Sequence, residues 1–274
     1  MSNLKSSSES AAILSGWQPF TFGGVAGLAL GPRWRFGLVR FVLALTSTIC
    51  VVWFCNVVFA EAIRQAIDHL SDTGAIHHGQ MEWSGPPVVV LVRGPIVTIL
   101  IDPALSGEAG QVTDWQVELG RQTMRFRSIF GFSEIPYAPA WSFPLTREAL
   151  EPWWGAWEPV ILAGIAAGSL LFFLVVWGVL GGVYALFLGV YGYFLDRRVT
   201  VAVCWRAGQA ALFPGALLLD AAIVLYGLKQ LDFIGLAFAF GLHLVIAWVY
   251  LVVTPLDFPR LQAARARNPF AARE

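Results

Sequence analysis

Apolar residues gather along this chain in long uncharged runs, with one stretch of mixed polarity after the first of them. Residues 41–60 form an uncharged run of 20. As a helix it measures about 30 Å at 1.5 Å per residue, the thickness of a hydrocarbon core, so it predicts a first transmembrane helix. The rival reading is a signal peptide, because Ala60-Glu61-Ala62 has small residues at a cleavage spacing. A signal's apolar region runs only about 7–15 residues, however, and lies nearer the N-terminus. Residues 207–228 and 233–256 predict two more spans, joined by a tight hairpin of Lys229, Gln230, Leu231 and Asp232.

Residues 160–195 hold 36 uncharged positions, too many for one straight span and few for two spans with a turn. Charge bias decides between them. If 159–195 is a single long helix, Lys5, Arg33, Arg35, Arg40, Arg197, Arg198, Arg206, Arg260, Arg265, Arg267 and Arg273 share one side, and Lys229 stands alone in the opposite short loop. Two spans would instead divide the basic residues 5 against 7. The positive-inside rule therefore favours four spans with both termini cytoplasmic. The long helix then carries Tyr191 and Tyr193 past the bilayer or bends at Gly181-Gly182.

The resulting layout is an α-helical integral membrane protein with a β-rich domain inserted between helices 1 and 2. A cytoplasmic or interfacial segment, 1–40, precedes the first span at 41–60. An extracytoplasmic domain, 61–158, leads to the long helix 159–195 and an Arg-rich loop, 196–206. The spans 207–228 and 233–256 follow, then a cytoplasmic tail, 257–274. The expected site is a bacterial cytoplasmic membrane.

Composition agrees with this class. Hydrophobic residues make up 57% of the chain and charged residues 13%, against roughly 45–50% and about 25% in soluble domains. Lysine plus arginine and aspartate plus glutamate both number 18. With no basic surplus to neutralise a phosphate backbone, nucleic-acid binding is not expected. The balance hides an asymmetry, since 61–158 carries 6 basic and 12 acidic residues.

Within the insertion, residues 61–70 extend the first helix, and 87–92 and 96–101 are apolar, β-branched runs about the Arg93-Gly94 turn, which predicts a buried hairpin. Trp115, Val117 and Leu119 alternate with Asp114, Gln116 and Glu118. Past Gly120, Met124 and Phe126 alternate with Arg125 and Arg127. Pairing these arms sets an acidic face against a basic one, either a solvated, salt-bridged sheet face or a binding groove. Thr146 is a candidate N-cap for a short helix through Glu148 and Glu151.

These stretches together resemble an uncharacterised bacterial four-span membrane family known partly through maltodextrin-utilisation operons, with a Yip-like membrane half. The resemblance rests on residues 88–102, including Thr98-Ile-Leu-Ile-Asp102, on 113–127 and 145–150, and on 184–219, where Arg197 and Trp205-Arg206 precede a proline-containing third span. It covers roughly residues 34–254 and implies the four-span layout with its inserted domain. The Arg-rich tail after Pro255 and the Gly-rich N-terminal segment depart from it.

Candidate chemistry is sparse. Asp220 and His243 are the ionisable side chains inside spans three and four besides thiols and phenols. Counted from the hairpin they reach nearly equal depths, about 12 and 15 Å. A buried carboxylate calls for a partner, so an intramembrane polar pair is predicted, either a structural hydrogen bond or a proton relay. Trp153, Trp154 and Trp157 precede the second span as interface anchors. His69, Asp72, His77, His78 and Glu82 have metal-ligand chemistry without a zinc spacing, so they read as a polar linker and no metal is expected. Gly23-Gly24-x-x-Gly27, among Trp17, Phe20, Phe22 and Trp34, lacks the preceding strand of a phosphate turn and predicts an interfacial or re-entrant segment. Gly164 to Gly168 and Gly178 to Gly182 predict helix-packing notches. Cys50 and Cys55 read as packing residues, and Cys204 as a packing or palmitoylation site.

No nucleophile elbow, P-loop, His-Glu-x-x-His or paired-carboxylate motif is present, so neither catalytic residues nor cofactors are expected. The sequence predicts a non-enzymatic envelope accessory protein that contacts the lipid bilayer and another membrane protein or a second copy of itself. The alternative is a proton-coupled transport component built on Asp220 and His243.

Overall fold

The computed structural model describes residues 18–260 apart from 72–73, 108–109, 112 and 198. Lys5, Trp17, Asp72, Arg198, Arg265, Arg267 and Arg273 therefore lie outside the described residues. Four helices are long and apolar enough to cross a membrane: Arg33–Asp68, Arg147–Phe194, Val201–Gly227 and Phe233–Asp257. The chain divides into a helical unit, Met1–Cys50 with Ala167–Leu225 and Ile234–Glu274, and a β unit, Val51–Ala166 with Tyr226–Phe233.

In the helical unit, α1 (Phe22–Leu30) starts where Thr21 Oγ1 accepts a hydrogen bond from Gly24 N at 3.0 Å. Val25, Leu28 and Ala29 on this nine-residue helix are fully buried. The glycine-rich segment is thus a capped helix packed into the core, too short to span. Gly24 must be glycine because a Cβ there would lie 1.8 Å from the Gln18 carbonyl oxygen. Helix α2 (Arg33–Phe54) follows directly, so the first helix begins eight residues before its uncharged run.

The expected third span is in two pieces, α5 (Val201–Ala210) and α6 (Phe213–Gly227). Pro214 has no N–H to return to the Ala210 carbonyl, so the ladder breaks there. Leu212 N turns to Gln209 O at 3.0 Å instead. Cys204 is buried in the core of this unit beside Ala207 and Leu188, as a packing residue is, and not exposed as a palmitoylation site would be. Gly181 takes the close approach, its backbone oxygen 2.9 Å from where a Cβ of Gly208 would stand. A Cβ at Gly164, Gly168 or Gly182 would meet nothing within 4 Å, so the predicted notches are used only in part.

Residues 160–194 are one helix. Helix α4 (Arg147–Phe194) has 48 residues, about 72 Å at 1.5 Å per residue, and includes both Pro152 and Pro159. Its start, with Leu150 N bonded to Thr146 O, absorbs the short helix predicted at Glu148 and Glu151. Helix α7 (Phe233–Val253) begins the fourth of the apolar helices.

In the β unit, the first helix passes through a π segment (Cys55–Ala60) into α3 (Glu61–Asp68). A small sheet follows, ordered β2-β1-β8, from β1 (Gly74–His77), β2 (Gln80–Trp83) and β8 (Phe143–Pro144). His78 and Gly79, both at positive φ, turn between β1 and β2. Strand β8 pairs with β1 through Ala75↔Pro144 and Ile76↔Phe143, so the two ends of the insertion are pinned side by side.

The larger sheet runs in chain order through β3 (Val89–Arg93), β4 (Val97–Ile101), β5 (Trp115–Leu119), β6 (Thr123–Ser128) and β7 (Gly131–Pro136). Both predicted hairpins are present, with Val90↔Leu100 in the first and Glu118↔Arg125 and Gln116↔Arg127 in the second. Strands β4 and β5 pair in parallel, so the residues between them must cross over.

That crossover reverses the expected burial. Gln116 and Glu118 are each only 1% exposed, whereas Trp115, Val117 and Leu119 on the other face are half-buried. The crossover lies over the polar face: Gln116 Nε2 donates to Gly110 O at 2.9 Å and Arg125 Nη1 to Leu105 O at 3.3 Å. Beneath it Glu118 meets Arg125 at 3.3 Å and Arg127 at 3.0 Å. The salt-bridged face is real, and it is buried rather than solvated.

Candidate functional site

Asp220 and His243 are not each other's partners. Asp220, 7% exposed on α6, accepts from Ser47 Oγ of α2 at 2.8 Å. His243 bonds through Nδ1 to the Phe240 carbonyl of its own helix. The equal-depth argument fails because the antiparallel helices are staggered. A Cβ on Gly215 would stand 2.5 Å from His243 O, so His243 lies level with Gly215. Asp220 is five residues further along α6, about 7.5 Å.

The tryptophans separate by helical phase. Trp153 and Trp157, four residues apart on one face of α4, are 53% and 49% exposed, and their rings lie 6.5 Å apart. Trp154 points about 100° away from them and is buried against Ala60 and Ile67. Only the outer two have the exposure of interface anchors.

The histidines do not assemble a centre. His69 Nδ1 is bonded to Gln65 O at 2.7 Å, and His77 Nε2 is 4.0 Å from Glu82. Among the described residues, no group of three or more His, Cys, Asp or Glu side chains is placed to hold a metal.

The strongest candidate is the apolar face of β5 and β6, which sequence reasoning treated only as core. Trp115, Val117, Leu119, Met124 and Phe126 face α3 residues Ile63 and Ile67 and α4 residues Leu150 and Trp154 across a crevice of about 400 Å³. A second cavity of about 550 Å³, between Ile76, Met81, Tyr137 and Trp141, shares Leu119, Met124, Leu145, Leu150 and Trp153 with the first. The two are neighbouring apolar crevices with a common wall, each in the size range of small-ligand sites at roughly 300–1,000 Å³.

Two buried polar atoms of lining residues have no hydrogen-bond partner: Trp154 Nε1, beside the first crevice, and Tyr137 Oη, beside the second, on side chains 8% and 5% exposed. Each unmet donor costs about 1–3 kcal/mol. Burial pushes the Tyr137 hydroxyl up to about 12, so it remains a donor at any physiological pH. Arg127, the one charged side chain lining the crevice, is held by Glu118 at 3.0 Å. Chemically, the arrangement can take an apolar body; among the described residues no nucleophile or acid–base pair lines it. The signal in the sequence was the Trp154 position, one residue out of phase with its neighbours.

No family model, curated protein or solved structure matches the chain.

Proposed function

We propose that this protein is a non-enzymatic, four-span accessory protein of a bacterial cytoplasmic membrane that works by binding. Its β unit faces the outside, its helices anchor it, and both termini are cytoplasmic. The observation that carries the reading is the apolar crevice between α3, the start of α4 and the β5–β6 face. Proton-coupled transport would need Asp220 and His243 to exchange a proton, and they are bonded to Ser47 and Phe240 instead.

The test places a photo-cross-linking amino acid at Val117, in the crevice, and at Glu82, on the exposed β2 strand, in living cells. A discrete adduct at Val117 and none at Glu82 is expected. Equal or absent labelling at the two positions would defeat the reading.

A further inference from the structure

We infer that the β6–β7 turn, formed by Ile129 and Phe130 with Phe132 beside them, is set into the lipid surface that surrounds the apolar helices. The inference rests on the spanning role of those helices proposed above, and gives the β unit its own hold on the bilayer.

The turn carries side chains that its geometry does not ask for. Ser128 pairs with Gly131, which leaves Ile129 and Phe130 as a two-residue loop. Such loops ordinarily take Asn, Asp or Gly. Here Ile129, Phe130 and Phe132 are 57%, 79% and 67% exposed, and the chain from Ser128 to Ser133 has no charged residue.

The depth of the turn follows from what its end of the sheet touches. Trp115, the strand partner of Ser128, has its ring 6.3 Å from that of Phe59. Tyr226 Oη donates to Asp114 at 2.9 Å, and the Phe130 ring lies 5.7 Å from that of Phe233. All three contacts fall at the ends of uncharged runs: Phe59 is one residue from the end of 41–60, Tyr226 is two from the end of 207–228, and Phe233 opens 233–256. The ends of runs that cross a bilayer stand where hydrocarbon gives way to headgroups, the depth that aromatic side chains favour. The exposed turn is therefore level with the start of the acyl chains. Strand addition by another protein is the poorer fit, because the sheet edge β7 carries Glu134 and ends in Pro136, residues that blunt an edge.

The experiment places a benzophenone-bearing phenylalanine at Phe130 of the full-length protein in phosphatidylethanolamine–phosphatidylglycerol vesicles. Two reference positions take the same probe: Glu82 on β2, and Val245, which is 56% exposed on α7 and about 18 Å along it from Phe233. Adducts are read by mass spectrometry after irradiation. Lipid adducts at Phe130 are expected to match those at Val245 and to exceed those at Glu82 about tenfold, the factor that burial of one large apolar side chain supplies. The probe at Ile129 repeats the measurement should the Phe130 variant fail to fold.

Lipid adducts at Val245 with only the Glu82 level at Phe130 and Ile129 would overturn the inference and leave the spans standing. A dimer-sized peptide adduct at the turn, without lipid, would assign it to a second copy of the chain and would also overturn the inference. No lipid adduct at Val245 would overturn the spanning reading, and the inference with it.

Discussion

The Asp220 carboxylate sits on α6 with the Ser47 hydroxyl as its partner at 2.8 Å. Ser47→Ala should therefore lower the thermal midpoint by an amount equivalent to about 1–3 kcal/mol, and adding Asp220→Leu should recover part of it, because removing both groups costs less than stranding one. By contrast, Asp220→Ala and His243→Leu should be additive to within a few tenths of a kcal/mol in a double-mutant cycle, since the two side chains share no contact. Strong coupling in that cycle would refute the stagger of α6 against α7. Tyr137 gives a pH signature. Its ionisation is deferred from about 10 in the unfolded chain to about 12 in the fold. Its neutral form thus stabilises fully below pH 10, and the benefit is lost as pH rises through 12. Tyr137→Phe should flatten that alkaline decline, an effect on the order of 2 kcal/mol in unfolding measurements. At this scale the sequence named the residues but not their directions. Nothing in a run of tryptophans tells which turns inward until the helix phase is known, and equal counts from a loop become equal depths only if the helices are in register.

Among the elements, the four apolar helices and the two hairpins about Arg93-Gly94 and Gly120 were legible, because apolar periodicity and turn residues act locally. The β1–β2 hairpin was hidden among histidines, although His78-Gly79 is a two-residue turn of the kind that hairpins favour. Strand β7 offered no alternation to read, since all six of its residues are exposed. The parallel β4–β5 pairing depends on a crossover, which no local pattern encodes, and it decides which sheet face is covered. Glu118→Ala would leave Arg127 without its carboxylate under that crossover, while Arg125 keeps Glu134, and should cost about 1–3 kcal/mol. Glu134→Ala, whose partner Arg125 keeps Glu118 and whose own side chain is 36% exposed, should cost under about 1 kcal/mol. Thermal unfolding of the two variants compares them directly. An excised segment should start no later than Gly74, because a cut at Gly79 discards β1 and with it the strand between β2 and β8.

For the whole molecule, the charge argument and the helix lengths agree on the number of spans but rest on different physics. A reporter placed after Asp196 or at the C-terminus should signal cytoplasm, and one within residues 106–111 the outside. Opposite signals from the first two would overturn the single long helix as a single crossing. The pinned ends of the insertion have a consequence of a different kind. Leu145 N donates to Gly74 O at 2.8 Å, and Arg147 reaches Asp68 at 3.2 Å, so the chain leaves the β segment almost where it entered. Antiparallel neighbours stand only about 5 Å apart. The segment is therefore a cassette. A single in-frame deletion could remove it and splice α3 to α4 with a few residues. The same strands could be grafted into another helical hairpin, or reopened at His78-Gly79 as a circular permutant, without stretching the backbone at either seam.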